Sequence, residues 1–157
     1  YFLPQLFDAL APLAGRMRVL VVSDAPYDLH GFDYRYEQWT PEGELALLQS
    51  MDIGLMPLTD DLYSRGKCGF KLLQYMACGA VPVASDVGFN REVVQHGHTG
   101  YLVGQPQEWT TRVATLLDDA SLRARMADAA RSDVVARFSL SPAVDSLLNF
   151  LELDGPA

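Results

Sequence analysis

Residues Gly66 to Ser85 carry the sequence GKCGFKLLQYMACGAVPVAS, and this stretch decides the fold. It begins with a glycine-containing loop, continues with apolar residues at helical spacing from Phe70 to Cys78, and stops at Gly79. A β-branched run follows from Val81 to Ser85 and has the length of a buried strand. The stretch therefore predicts a loop, a helix, a turn and a strand, in that order.

The predicted helix has one apolar face and one polar face. The apolar face is expected in the core and consists of Phe70, Leu72, Leu73, Met76 and Ala77. The polar face includes Lys71 and Gln74, and it begins directly after a flexible loop that contains Lys67 and Gly69. A helix N-terminus binds anions readily, because its first backbone amides have no partner inside the helix. This arrangement favours a negatively charged ligand at the start of the helix.

Strand and helix signals alternate along the rest of the chain. The apolar run RVLVVS at Arg18 to Ser23 predicts a strand buried on both faces, as in a parallel sheet. Thr40 and Pro41 form a typical helix start, with a hydroxyl cap followed by proline at the first helical position. Further strands are expected at residues 34–39, 53–58 and 101–103, and helices at residues 1–15, 40–50, 90–95, 107–118, 122–138 and 142–153. The pattern predicts an α/β fold with an open parallel sheet flanked by helices.

Composition limits the classes of partner. The chain has 157 residues, a formal net charge of -8 and 49% hydrophobic residues, which suits one domain with a sizeable core. The negative charge argues against general binding to nucleic acid or to anionic lipid. No apolar run approaches the roughly 20 residues of a membrane span. Cys68 and Cys78 are expected to be free thiols, which favours a soluble cytoplasmic protein.

Ligands of open parallel sheets bind at the carboxyl ends of the strands. The loops expected at that edge, together with the start of the helix that follows the third of them, contain glycines, two lysines, an arginine, a tryptophan and hydroxyl groups. These residues suit a phosphorylated ligand that also carries a ring. The sequence contains no Ser/His/Asp arrangement, no metal-ligand cluster and no Walker-type glycine loop, so no metal or cofactor is expected.

The central stretch also carries a family resemblance. Together with DIGLMPL before it and VGFNREVVQHGHTGYLV after it, the stretch closely resembles the C-terminal, donor-binding domain of retaining GT-B glycosyltransferases of the glycosyl transferases group 1 family. The similarity extends nearly from end to end. It implies a Rossmann-like half of a GT-B fold, so that residues 1–157 are a nucleotide-sugar-binding C-terminal domain fragment whose acceptor-binding N-terminal domain is absent.

The resemblance also implies a function. The domain is expected to bind a nucleoside diphosphate sugar for transfer of the glycosyl group to an acceptor held by the missing domain of the same chain. That acceptor is a glycan, a lipid-linked molecule or a small molecule. The fragment alone is expected to fold, to bind nucleotide weakly and to transfer no sugar. Because a helix followed by a buried parallel strand usually has another strand before it, a further strand is expected ahead of Tyr1.

The family marks its site with two glutamates eight positions apart, which fall here on Gly66 and Gln74. Gln74 can still accept hydrogen bonds from ribose, whereas Gly66 has no side chain for the sugar. Restoring a glutamate at position 74 is expected to tighten ribonucleotide binding, unless another acid lies nearby. No catalytic residue is assigned. The expected donor-binding residues are Trp39, Thr40, Gly66, Lys67, Gly69, Phe70, Lys71 and Gln74. Of these, Trp39 and Thr40 are expected to contact the base and the two lysines the diphosphate.

Two other functions fit parts of the sequence. The absence of both motif glutamates is compatible with a non-catalytic nucleotide-sugar-binding module or an inactive homologue. A receiver-like signalling domain would share the length and the alternation of strands and helices. Asp52, however, precedes its strand instead of ending it, and no lysine closes a late strand, which argues against a receiver.

Overall fold

The computed structural model describes residues 3–151, in which strands and helices alternate. The strands are β1 (Arg18–Ser23), β2 (Asp33–Gln38), β3 (Ile53–Met56), β4 (Val81–Ser85) and β5 (Tyr101–Val103). The α-helices are α1 (Leu3–Leu10), α2 (Pro41–Gln49), α3 (Leu62–Arg65), α4 (Phe70–Cys78), α5 (Asn90–Val93), α6 (Pro106–Asp118), α7 (Ala120–Phe138) and α8 (Leu140–Phe150). A 3₁₀ helix (Ala11–Arg16) joins α1 to β1. The predicted α/β class is confirmed.

The strands form two parallel sheets. In one sheet β1 pairs with β2, so that Arg18 lies opposite Asp33. In the other sheet β4 lies between β3 and β5. All five residues of β4 are buried.

The expectation that β1 is buried on both faces is wrong. Arg18 is exposed and the other five residues of β1 are only half-buried. Within residues 3–151, β1 and β3 each have one edge without a strand partner, and side chains of both strands line a cavity of about 1110 Å³. Because no strand covers this edge of β1, its valines lack neighbours on that side. A further strand ahead of Tyr1 stays a prediction.

Two apolar clusters cover opposite faces of β4. Val81 and Val83 pack with α1 and α6, including the fully buried Trp109. Ala84, on the other face, packs with α4 and α7. This alternation follows from the two-residue period of a strand, which sends successive side chains to opposite faces. The helices therefore form a layer on each side of the sheet.

Helix α4 lies close to β3 through an aromatic ring. A Cβ atom placed on Gly54 of β3 would come within 2.3 Å of the Tyr75 ring. The Tyr75 hydroxyl donates a hydrogen bond to the Leu55 carbonyl oxygen at 3.3 Å. The glycine in β3 is therefore required by the close approach of the helix, and this contact fixes the position of α4 on the sheet.

Two residues of the predicted apolar face of α4, Phe70 and Ala77, are exposed. Leu72 and Met76 are fully buried as predicted, whereas 62% of Phe70 is exposed. Phe70 is the first residue of the helix and precedes Leu72 by two positions, which places it about 200° away around the helix axis. It therefore points towards solvent at the ligand-binding edge, and its expected place in the core is wrong.

Helix α8 has an apolar face that no described residue covers. Leu140, Leu147 and Phe150 are exposed, and none of the residues of α8 is buried.

Among residues 3–151, no helix is both long enough and apolar enough to cross a membrane.

We predict that Gly54→Ala destabilises the domain by about 1–3 kcal/mol, because the added methyl group overpacks against the Tyr75 ring. Urea unfolding followed by circular dichroism measures this change. Gly15→Ala is the matched control, since a Cβ atom at Gly15 meets nothing within 4 Å. Equal stabilities of the two variants would contradict the contact described here.

Tyr75 also predicts a dependence of stability on alkaline pH. Burial raises the pKa of Tyr75 to about 12 from its usual 10.0. The unfolded chain loses this proton near pH 10, while the folded chain keeps it until about pH 12. The stabilisation is therefore complete below pH 10 and is lost as the pH rises through 12. Urea unfolding across this range should show a steeper loss in the native protein than in Tyr75→Phe, and parallel curves would disprove the assignment.

Candidate functional site

The candidate site lies where the carboxyl ends of the parallel strands meet. The loops after β2 and β3 and the start of α4 all reach this edge. The cavity between the two sheets opens here, and its lining includes Trp39, Glu44 and Lys71. Open α/β sheets bind their ligands at this edge. The predicted position of the site therefore coincides with the largest cavity described.

Two of the predicted residues meet at Glu44, which sequence reasoning missed. The Trp39 Nε1–H group donates to Glu44 Oε1 at 3.2 Å, and the Lys71 Nζ atom lies 3.7 Å from the same oxygen. The bond from Trp39 contributes most to lowering the pKa of Glu44, burial opposes it, and the Gln74 side chain and Lys71 lower the pKa further. Glu44 therefore stays ionised and holds the Trp39 indole and the Lys71 ammonium together.

The sequence offers a local reason for the position of Trp39. Thr40 caps α2 as predicted, and its Oγ1 atom accepts a hydrogen bond from the Gly43 amide at 3.1 Å. The Trp39 amide donates to the Ser23 carbonyl oxygen at 3.1 Å, which ties this loop to the end of β1. The first turn of α2 then brings Glu44 beside the indole. Trp39 is 40% exposed, so one part of its ring remains open to a ligand.

The start of α4 offers unpaired backbone donors. Gly69 has a φ angle of 67°, a left-handed conformation that favours glycine, and it leads directly into the helix. In the chain between residues 3 and 151, no acceptor lies within hydrogen-bond distance of the amides of Gly69, Phe70 and Lys71. Such amides, together with the helix dipole, suit a phosphate group.

The two predicted phosphate lysines have different partners. Lys71 pairs with Glu44, whereas the Lys67 Nζ atom lies 5.0 Å from the centroid of the Tyr63 ring. Lys67 has no carboxylate within ion-pair distance among the residues described. The neighbouring Arg65 is bound by Asp60 through two hydrogen bonds of 2.6 and 3.0 Å. The positive charge of Lys67 is therefore more available to a ligand than that of Lys71.

The backbone conformation at position 66 does not require glycine. It ends α3 with φ of -80° and ψ of -4°, and a Cβ atom there would lie 3.6 Å from the Leu62 and Tyr63 carbonyl oxygens. That distance is an ordinary contact, so a Cβ atom fits at this position. The absence of a side chain at Gly66 is thus a feature of the sequence and not a steric necessity of the loop.

Buried polar residues fix the loops around the site. Ser85 Oγ accepts a hydrogen bond from the Leu58 amide at 2.8 Å, which joins the loop after β3 to the end of β4. The buried Asn90 donates from Nδ2 to the Ser85 carbonyl oxygen at 2.9 Å. Satisfied buried polar groups of this kind make the surrounding loops rigid. Among the residues described, no three His, Cys, Asp or Glu side chains form a metal-ligand cluster.

Comparison with known proteins agrees with this geometry. The model of the family "Glycosyl transferases group 1" matches residues 4–119. The D-inositol 3-phosphate glycosyltransferase of Thermobispora bispora is 35% identical over 111 residues, which are 68% of this chain and 24% of that enzyme. This chain thus spans about a quarter of the length of that relative.

Solved structures show the same fold. Anabaena HepE, in complex with UDP and glucose, aligns with a TM-score of 0.73 and 22% identity over 96% of this chain and 44% of that one. The C-terminal domain of LpcC, a glycosyl transferase group 1 family protein from Francisella tularensis, aligns with a TM-score of 0.63 and 14% identity over 88% of this chain and 80% of that one. The chain therefore belongs to the glycosyl transferases group 1 family and has the Rossmann-like fold of its GT-B members.

Proposed function

We propose that this chain is the donor-binding C-terminal domain of a retaining glycosyltransferase, which binds a nucleoside diphosphate sugar. One observation carries the proposal: Trp39 and Lys71 converge on Glu44 at the mouth of the cavity, beside the unpaired amides of α4. An exposed aromatic ring, polar side chains and a phosphate-binding helix start match the three parts of such a ligand.

Each part of the donor has a partner in this arrangement. The nucleobase stacks on the Trp39 ring, next to Thr40, and the ribose hydroxyls donate to Gln74. The diphosphate lies at the amides of Gly69 and Phe70, where Lys67 supplies positive charge. The exposed phenyl ring of Phe70 borders the sugar. UDP in the Anabaena HepE structure supports the class of ligand, since that protein shares this fold.

The acceptor lies outside this domain. The LpcC structure is a C-terminal domain by itself, and this chain covers 80% of it. The HepE chain is more than twice as long as the part matched here. These coverages support a separate N-terminal domain of the same protein, which holds the acceptor. Cys68 and Cys78 are free thiols, which supports a cytoplasmic location.

A second candidate is a nucleotide-sugar-binding module without catalysis. The observation in its favour is Gly66, which offers no side chain to the donor sugar although the backbone would accept one. Glycosyl transfer by the full-length protein separates the two functions. Release of sugar to an acceptor from any of several nucleoside diphosphate sugars supports the enzyme, while nucleotide binding without transfer supports the module.

We predict that Lys67→Ala in the full-length protein weakens the binding of UDP at least roughly tenfold and leaves the binding of uridine nearly unchanged, because charge-assisted bonds to phosphate are lost. Isothermal titration calorimetry measures both affinities. Arg125→Ala on α7 is the control, since it removes one positive charge from an exposed position away from the site. Equal losses for UDP and uridine would show that Lys67 does not contact phosphate.

We also predict that the 157-residue chain alone transfers no sugar to an acceptor, although it binds nucleotide weakly. Catalysis needs the acceptor held against the donor, and positioning contributes about 7–11 kcal/mol to lowering a barrier. A radiolabelled donor assay with the isolated chain and the full-length protein tests this. Transfer by the isolated chain to anything other than water would place the acceptor site in this domain.

A further inference from the structure

The loop before α4 is in contact at both ends with one short segment, residues 88–93, which we call the α5 segment. A Cβ atom placed on Gly88 would come within 2.8 Å of the Arg65 Cα atom and carbonyl oxygen, so the two backbones lie against each other there. A Cβ atom on Gly69 would lie 3.1 Å from the Val93 Cγ2 atom. Glycine at both positions permits this close approach. The α5 segment therefore holds both ends of the loop that leads into the unpaired amides of α4.

Arg137 of α7 holds the carboxyl end of the α5 segment. Its Nη1 and Nη2 atoms donate to the Glu92 and Val93 carbonyl oxygens, both at 2.9 Å. These are the last two carbonyl groups of α5, and the final carbonyls of a helix have no acceptor role inside it. A guanidinium reaches two such acceptors at once, because its donors form a fixed planar fork. Arg137 therefore fixes α5 to α7.

The guanidinium is itself held in place by Asp133, one turn earlier on α7. Arg137 Nε donates to Asp133 Oδ1 at 2.9 Å, and Nη2 donates to Oδ2 at 2.5 Å. Gln95 Nε2 donates to Asp133 Oδ1 at 2.8 Å, so the same carboxylate also binds the chain just after α5. The Asp133 side chain is only 14% exposed. Charge-assisted bonds that are shielded from water hold a more definite geometry than an exposed ion pair does.

The contact between the α5 segment and Gly69 lies in close-packed surroundings. Val93 is fully buried, and it belongs to the same apolar cluster as Leu72 of α4 and Val134 of α7. Because protein interiors contain few voids, a shift of one member of such a cluster displaces its neighbours. A movement of α5 would therefore reach Gly69, where the chain turns into α4.

We propose that Arg137 is a positioning residue of the phosphate site: it fixes α5, and through Val93 and Gly69 it fixes the amides at the start of α4. This inference rests on the proposed function, since it names what holds the same site in shape. The Arg137 guanidinium is bound to α5 and to Asp133, so it acts on a diphosphate through the backbone and not by contact.

The experiment compares Arg137→Ala and Arg137→Lys in the full-length protein. Calorimetry measures the affinities for UDP and for uridine, which differ by the diphosphate. We expect Arg137→Ala to weaken UDP binding roughly tenfold and to change uridine binding less than about twofold. Arg137→Lys should recover only part of this loss, because an ammonium can pair with Asp133 but lacks the fork that reaches both carbonyl oxygens. Arg125→Ala removes a positive charge from an exposed position of α7 and should leave both affinities unchanged.

A double-mutant cycle with Val93→Ala tests whether the effect passes through Val93. If it does, the variant with both Arg137→Ala and Val93→Ala loses no more UDP affinity than the weaker-binding single variant. Losses that multiply would overturn the proposed connection. Met126→Ala is the control for a general loss of stability, since Met126 lies on α7 in the other apolar cluster. It should lower stability in urea without changing the ratio of the UDP and uridine affinities.

The failure of this inference differs from the failure of the proposed function. Equal losses of UDP and uridine affinity in Arg137→Ala would show that Arg137 serves the fold alone, even where the native protein binds UDP. Where Arg137→Ala does not fold, equal losses in Arg137→Lys lead to the same conclusion. A native protein that binds none of UDP, GDP and ADP would instead refute the proposed function, and this inference with it.

Discussion

The contact between Gly54 and the Tyr75 ring sets the distance between helix α4 and the sheet. Any side chain at position 54 would push the helix outwards, and Tyr75 would lose its hydrogen bond to the Leu55 carbonyl oxygen. Because α4 also carries Lys71, its height on the sheet decides whether the Lys71 ammonium reaches Glu44 of α2. The close packing of Gly54 against Tyr75 is thus required for the polar contact between α4 and Glu44 at the surface.

The charges of the site are balanced locally, although the chain as a whole carries a formal charge of -8. Glu44 is offset by Lys71, Asp60 by Arg65, and Asp86 by Arg91. Pairs of this kind leave little net field for an incoming diphosphate. In the proposed function, the neutral donors at the start of α4 and Lys67, which has no carboxylate partner among the residues described, would therefore provide most of the attraction, so that a basic surface is not needed for this ligand.

Local signals in the sequence predicted the parts of the fold that depend on neighbouring residues. The cap at Thr40 and the extent of α4 follow from residues adjacent in the chain, and the structure places them where they were predicted. Glu44 was missed because its ion pair is with Lys71, a residue distant in the chain, and a glutamate in the first turn of a helix has an ordinary explanation. The burial of β1 was overestimated for a related reason, since an apolar run does not reveal whether another strand lies beside it.

The overestimated burial of β1 bears on the candidate site, because the edges of β1 and β3 that have no strand partner among residues 3–151 line the same cavity. A strand pairs with its neighbours at about 4.8 Å, and the apolar cavity between these edges is lined by Val19, Val21 and Leu55. A parallel strand placed there would join the two sheets. The chain would then run from the carboxyl end of that strand through α1 to the start of β1. The loop at that carboxyl end would lie at the mouth of the cavity, beside the unpaired amides of α4. With such a strand, pairing in the core and completion of the proposed phosphate site would be linked, because the segment that satisfied the two strand edges would also bring backbone donors to the ligand.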